Sequence, residues 1–434
     1  MRISSKLYND NHVNELVRYV NNSQDSIHLL SEKSTNIDGF KNLNKELHLI
    51  NEDNLNDFVS SLSKKYDLVI VTDLFEMTEN IYEFFENVKL ILKPDGKLLI
   101  NSVNPKWNRI LKFFEFIRLK VSSQGRSTIN PRNLNNIAKS SGFDLNQFYS
   151  RQLFPFKLGF IGVLVNKFLE LLLMPFNLGI KYYMVFAPYG SKSDLKTKSI
   201  IIPAKNEEKN LVPLIERIPI FEDDYELIVV YGPSQDKTED VVNKLSETFP
   251  NIKIITLKQS KNGKANAVWE AVSIASNDLI AILDSDQSVD PETLTEFFNI
   301  LESGNADFVN GTRLIYPMED KAMRALNTYG NKIFQFLISL VIQQKLSDSL
   351  CGTKVFKKTN VIKILNWQKT LKSKDPFGDF DLIFSAAYAG DKILEYPVHY
   401  RARVYGETQI SRFRDGIKLI RYFLESFYYF NISK

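Results

Sequence analysis

The stretch that decides the reading is Asp278-Leu279-Ile280-Ala281-Ile282-Leu283-Asp284-Ser285-Asp286. Its first part is an unbroken apolar run, the pattern of a strand covered on both faces in a parallel sheet. Its last three residues place two carboxylates just beyond the strand's carboxyl end, where ligands bind in such sheets. In an extended chain alternate side chains share a face, so Asp284 and Asp286 converge on one site. Converging carboxylates repel unless a cation lies between them or one is protonated. A hard divalent cation, Mg2+ or Mn2+, takes oxygen ligands and often joins one or two carboxylates to substrate phosphates. That combination suits a nucleotide diphosphate donor, whose departing diphosphate the cation would neutralise. Alone, the triplet also reads as a solvated turn, so its neighbours must carry the argument.

Working outward, strands and helices alternate. Ser199–Ile202 is a buried strand ending at Pro203, and Asn206-Glu207-Glu208 is expected to open a helix with acidic residues in its first turn. Glu226–Tyr231 is a second buried strand. Asp236 can cap a helix whose apolar face holds Val241, Val242, Leu245 and Phe249. Ile252–Leu257 is a third strand, and Gly263-Lys264 leads into a helix carrying Ala267, Val268, Ala271 and Val272. The polar passage Tyr189–Lys198 separates this half from an earlier one. We place the boundary there, giving domains 1–192 and 193–434.

The earlier half repeats the alternation. Tyr66–Val71 is a continuous β-rich run, Ile81–Leu92 a helix with Phe84, Val88 and Ile91 at helical spacing, and Pro94-Asp95-Gly96 a turn. Lys97–Asn101 is the next strand, followed by a helix near Pro131–Ser141 and a turn at Gly142. The whole is an α/β protein of two doubly wound domains.

Composition excludes several classes. The 434 residues hold 55 basic and 51 acidic side chains, a net charge of +4, which gives no support for nucleic-acid binding. The single cysteine, Cys351, excludes a disulfide framework, and His12, His28, His48 and His399 lack metal-ligand spacing. Met1–His12 is polar, so a cytoplasmic setting is the default expectation. Leu153–Ile180 and Ile417–Phe430 are apolar but interrupted by charges and, in the former, prolines, so no spanning helix is expected. The stripe Ile417, Ile420, Leu424, Phe427 is expected to pack on its own domain, with a membrane surface as the minority reading.

Seven segments now occur in order: SIIIPAKNEEKNL (199–211), NGKANAV (262–268), LIAILDSDQSVDPETL (279–294), VNGTR (309–313), DSLCGTKVF (348–356), GDFDLIFSAA (378–387) and YRARVYGETQISRFRDG (400–416). Together they resemble family-2 glycosyltransferases of the GT-A fold, with the polyprenyl-phosphate, dolichyl-phosphate mannose synthase-like branch the nearest likeness. The resemblance implies that Pro203, Ala204 and Glu207 hold the nucleotide and that Asp284 and Asp286 bind metal and donor. Tyr231, Lys264, Ser285 and Arg313 complete the donor side. Asp381 matches the acidic residue near the acceptor, and Asp379 shares its face if that segment is extended. Arg403, Gly406 and Thr408 match the family's phosphate-contacting pattern. Tyr231 departs from the family, standing where a nucleotide-holding acid is usual; a phenol cannot accept as a carboxylate does.

In the N-terminal half, YDLVIVTDLFEM, ENVKLILKPDGKLLINSVNP and LNNIAKSSGFDL resemble the back half of class I S-adenosylmethionine-dependent methyltransferases, over roughly residues 66–188. That family's cofactor rests on a glycine-rich turn after the first strand. Here Gly39 is the only glycine before Gly96. The expectation is a methyltransferase-like, Rossmann-type sheet without its cofactor loop, and S-adenosylmethionine is not expected to bind.

The reaction implied is an inverting displacement at the anomeric carbon of a nucleotide-diphosphate sugar. The acceptor is a saccharide hydroxyl, with Asp381 or Asp379 as base, or a lipid phosphate, with Arg403, Arg412 and Arg414 as cradle. The resemblance points to cell-envelope glycan synthesis, in the cytoplasm or peripherally on the membrane's inner face. Two other classes stand beside it: an active methyltransferase with an accessory glycosyltransferase domain, and a non-catalytic carbohydrate-binding scaffold.

Overall fold

The computed structural model describes residues 13, 15–32, 40, 46–51, 54–74, 80–116, 129–153, 169, 173, 176–188, 190, 194–316, 325–403, 405 and 412–431. The chain forms two compact units, Met1–Gly190 with Asn431–Lys434, and Ser191–Phe430. Most of the apolar segment 153–180 lies outside the described residues.

The first unit is built on six strands: β1 (Ser26–Ser31), β2 (Glu46–Ile50), β3 (Tyr66–Thr72), β4 (Leu92–Val103), β5 (Phe143–Arg151) and β6 (Lys181–Pro188). Their order is β2-β1-β3-β4-β6-β5, with the first four parallel and β6 antiparallel to both neighbours. Helices α1 (Leu55–Ser61), α2 (Ile81–Ile91), α3 (Asn108–Phe116) and α4 (Pro131–Ser140) connect them. The helix ends follow from side chains: Asn80 accepts from the Glu83 amide, and Asn130 accepts from the Arg132 amide ahead of Pro131. The expected turn at Pro94-Asp95-Gly96 is instead absorbed into β4. Tyr66 pairs with Leu92 but Leu68 with Lys97, so residues 93–96 bulge from the register. Gly96 makes this passable, because a Cβ there would lie 2.8 Å from the Tyr66 carbonyl oxygen.

The second unit carries seven strands: β7 (Lys198–Ala204), β8 (Tyr225–Tyr231), β9 (Lys253–Lys258), β10 (Leu279–Ile282), β11 (Phe308–Thr312), β12 (Lys354–Lys357) and β13 (Ile393–Pro397). Their order is β13-β11-β12-β10-β7-β8-β9. The sheet is mixed, since β12 runs antiparallel to both β10 and β11. Helices α5 (Leu211–Arg217), α6 (Thr238–Thr248) and α8 (Leu294–Glu302) cover one face. The other is covered by α7 (Lys264–Ile274), α9 (Ala325–Ile342), α10 (Asn360–Thr370), α11 (Asp379–Tyr388) and α12 (Arg412–Asn431). Strands β8 and β10 flank β7 on opposite sides, so the sheet's order reverses there and a crevice opens beyond the carboxyl ends of β7 and β10.

Three local expectations change. The helix expected from Asn206 begins only at Leu211, because Asn206 adopts φ 58° and residues 206–210 turn. Asp379 and Asp381 lie on a helix, not an extended segment, because the Asp375 carboxylate accepts the amides of Phe377, Phe380 and Asp381 and winds the chain into α11. The α12 stripe packs on its own domain only at Phe427, which is half-buried against the core: Ile417, Ile420 and Leu424 are exposed, and Leu419, Tyr422, Phe423 and Phe430 face the core instead.

Candidate functional site

Asp284 and Asp286 follow β10 by two and four residues, at the crevice beyond β7 and β10. Each carboxylate meets a cation. Lys264 Nζ lies 2.6 Å from Asp284 Oδ1, and Arg403 Nη2 lies 2.7 Å from Asp286 Oδ2. Lys264 is the first residue of α7, after Gly263 at φ 114°. Arg403 is brought in by the segment after β13, which bridges Tyr400 to Val289 and donates the Arg401 amide to the Ser288 carbonyl at 2.9 Å. The Asp286 Oδ1 atom also accepts the Ser288 amide at 3.0 Å.

Beneath this pair lies a second ion pair. Lys354 Nζ reaches Asp379 Oδ1 at 2.7 Å, fully buried, and also donates to the Cys351 carbonyl. Lys354 pairs in register with Ile282 of β10, which places it under Asp284. Burial would raise the Asp284 carboxyl, but Lys264, with Lys354 and Arg403, outweighs it and holds the group below the usual carboxylate range. Burial likewise would lower the Lys264 ammonium, and the charges of Asp284 and Asp379 override it in the other direction.

Glu207 completes the cluster. Burial pushes its carboxyl up to about 7; the Asn210 hydrogen bond opposes this, and the neighbouring Asp286 charge adds to it. Asn210 Nδ2 donates to Glu207 Oε2 at 2.5 Å. Glu207, Lys264, Asp284, Asp286, Lys354, Asp379 and Arg403 therefore form one electrostatic group.

The other expected residues are engaged differently. Ser285 Oγ donates to the Pro203 carbonyl at 2.8 Å, so it ties β10 to β7. Ala204 and Tyr231 end adjacent paired strands at the crevice rim, with the Lys258 ammonium 6.0 Å from the Tyr231 ring centre. Arg313 forms a bidentate pair with buried Asp348, at 2.7 Å and 2.9 Å, and is not among the cations facing Asp284 and Asp286. Asp381 also turns away. Its carboxylate accepts from Tyr422 Oη at 2.5 Å and from Gln368 Nε2 at 2.7 Å, inside the apolar core. Two residues along a helix differ by about 200° in direction, so Asp379 and Asp381 cannot share a site. Arg414 is exposed on α12. Gly406, Thr408 and the Arg412 side chain lie outside the described residues.

Sequence reasoning missed Lys354, Asp375 and Gly352. A lysine inside the buried strand run Lys354-Val355-Phe356 was the available signal for the first.

Asp284 and Asp286 supply hard oxygens that fit a divalent cation once a diphosphate adds its own, while among the described residues no group of three or more His, Cys, Asp or Glu forms a metal cage. In the first unit the edge beyond β1, β3 and β4 is filled differently. Lys181 Nζ pairs with Asp73 at 2.8 Å, and the Thr72 hydroxyl joins His28 Nε2 at 2.7 Å and Asn101 Nδ2 at 2.9 Å.

Residues 199–365 match the glycosyl transferase family 2 domain, and residues 20–147 match a methyltransferase domain, a span reaching further toward the N-terminus than the sequence motifs alone. The C-terminal part is thus a family-2 glycosyltransferase domain and the N-terminal part a methyltransferase-type domain. Over 234 residues the chain is 26% identical to the low-salt glycan biosynthesis hexosyltransferase of Haloferax volcanii, covering 52% of this chain and 53% of that protein. Over 119 residues it is 32% identical to the dolichol-phosphate mannosyltransferase of Pyrococcus furiosus, covering 27% and 33% respectively. The chain spans about half or less of the length of these relatives. A solved structure of glucosyl-3-phosphoglycerate synthase from Mycobacterium tuberculosis is similar at 17% identity and a TM-score of 0.40, covering 55% of this chain and 80% of that one. Among the described residues no helix is long and apolar enough to cross a membrane.

Proposed function

We propose that the second unit transfers a sugar, with inversion, from a nucleotide-diphosphate donor to a phosphate-bearing lipid acceptor in the synthesis of a surface glycan. The observation that carries this is the pairing of Asp284 with Lys264 and of Asp286 with Arg403 at the switch point of the sheet. Lys264 and Arg403 keep 27% and 29% of their side chains exposed, whereas Lys354 keeps none. The first two can therefore turn to an incoming diphosphate while Lys354 stays to hold Asp379. A divalent cation bound by Asp284 and Asp286 would supply Lewis-acid neutralisation of the diphosphate. Lys264 and Arg403 stabilise the charge that grows on the leaving oxygen, so they act more on the transition state than on the bound donor.

The acceptor oxygen forms a bond to the anomeric carbon as the bond to the diphosphate breaks, and the electron pair leaves on the diphosphate. A neutral hydroxyl would need a base. Both acidic candidates are engaged, Asp379 by Lys354 and Asp381 by Tyr422 and Gln368. An acceptor phosphate is already anionic and needs no base, which favours it. The similarity to a dolichol-phosphate mannosyltransferase supports the same class.

The test is turnover of a panel of nucleotide-diphosphate sugars with Mn2+ or Mg2+, using a polyprenyl phosphate or a saccharide as acceptor. Asp286→Ala should abolish donor hydrolysis and transfer while the melting temperature holds. Undiminished turnover in that variant overturns the assignment. Transfer to the saccharide alone overturns the acceptor class.

A further inference from the structure

Helix α12 carries two separate apolar stripes. Leu419, Tyr422, Phe423 and Phe430 are buried in the core of the second unit. Ile417, Ile420, Leu424 and Tyr428 form the other stripe, at spacings of three, four and four residues. They are 68%, 49%, 59% and 47% exposed, so this stripe is unused by the fold. With about 3.6 residues per turn, these four side chains line up along roughly 16 Å of helix, on the side away from the core. A third row lies beside them: Arg414, Lys418 and Arg421, spaced four and three residues apart and all exposed.

A surface helix normally turns its polar residues outward once its apolar face is buried. Here the outward side holds large aliphatic residues next to a row of cations. That is the composition of a helix lying in a lipid interface, with the apolar row among the acyl chains and the basic row at anionic headgroups. We propose that this face of α12 docks on an anionic membrane surface. A second copy of the same face is a poorer occupant because it brings no acidic row. Its acids are Asp415, paired with its own Lys418 at 2.9 Å, and Glu425, which accepts the Lys372 and Ser373 amides at 2.6 Å and 2.8 Å. An anionic bilayer supplies both the apolar phase and the counter-charge. The inference stands apart from the transferase chemistry, although a lipid-borne acceptor would make it useful.

Flotation of the full chain tests it, with vesicles of phosphatidylcholine alone and of phosphatidylcholine mixed with phosphatidylglycerol. The chain is expected to float with the mixed vesicles. Lys418→Gln with Arg421→Gln should weaken that binding about thirtyfold, the loss for two headgroup cations. Ile417→Ser with Leu424→Ser should weaken it about a hundredfold. Both double variants replace exposed side chains, and their melting temperatures should match the parent; if the serine pair melts early, the glutamine pair alone decides. Failure to float with mixed vesicles, or variants that float like the parent, overturns the proposal. So does a dimer in light scattering that Ile417→Ser with Leu424→Ser dissolves, since the occupant would then be a second copy.

Discussion

Asp284 lies directly against the bare Cα of Gly352. A methyl group at position 352 would come within 1.9 Å of Asp284 Oδ2 and 2.5 Å of its Cγ. Space, not backbone conformation, demands glycine here. Gly352→Ala should push the carboxylate off its seat between Lys264 and Lys354. We expect kcat/KM for nucleotide-sugar turnover to fall about a hundredfold, or ~2.7 kcal/mol of transition-state stabilisation. Steady-state kinetics with Mn2+ check this, alongside circular dichroism to confirm the fold. Parental kinetics in the alanine variant would mean that Asp284 does not need this seat.

Lys354 and Asp379 form an ion pair with almost no access to solvent. Removing one partner strands the other's charge in the interior, whereas replacing both with apolar residues removes the need for pairing. Lys354→Met should therefore destabilise the fold by about 3–5 kcal/mol, and Lys354→Met with Asp379→Leu should recover most of that loss. Urea titration of the single and double variants measures it. If the double variant is as unstable as the single, the two side chains are not energetically a pair.

Much of this was legible in the residues. Runs such as Leu227–Val230 and Leu279–Ile282 are apolar because each strand is covered on both faces. Asp379 and Asp381 misled for a physical reason: a two-residue spacing means one face in a strand and nearly opposite faces in a helix. What made the segment helical was Asp375, whose three amide bonds form only in the folded chain. Arg313 read as a ligand for the donor because its partner, Asp348, is 35 residues away in sequence and pairs with it only once the chain is folded.

The Arg313 clasp predicts a stability defect, not a binding defect. Asp348 is fully buried, and although burial raises its carboxyl, Arg313 pulls it down to about 2. Arg313→Met should cost about 3–5 kcal/mol by leaving that carboxylate unpaired. The sign with pH follows from the depressed value. The pair's contribution is full above the ordinary Asp pKa of about 3.9 and is lost as pH falls through about 2. Denaturation at pH 7 and at progressively lower pH should show the gap between parent and variant closing in acid. An unchanged stability, with a raised KM for the donor, would restore Arg313 to the donor site.

Asp381 gives the opposite sign. Burial raises its carboxyl to about 6, with the Tyr422, Gln368 and Trp269 hydrogen bonds pulling the other way. A raised acid stabilises the fold fully below its unfolded pKa, about 3.9, and that contribution is lost as pH rises through the folded value. Asp381→Asn substitutes an uncharged isostere for the protonated form. Its oxygen can still accept from Tyr422, and the Gln368 amide can rotate to accept from its nitrogen. The stability of the parent relative to Asp381→Asn should therefore fall between about pH 4 and pH 6 and flatten near pH 8. Urea midpoints of both proteins across that range check the slope, and turnover should stay within about threefold of the parent, since the side chain faces the core. A flat difference would place the titrating carboxyl elsewhere, and a hundredfold loss of turnover would return Asp381 to the chemistry.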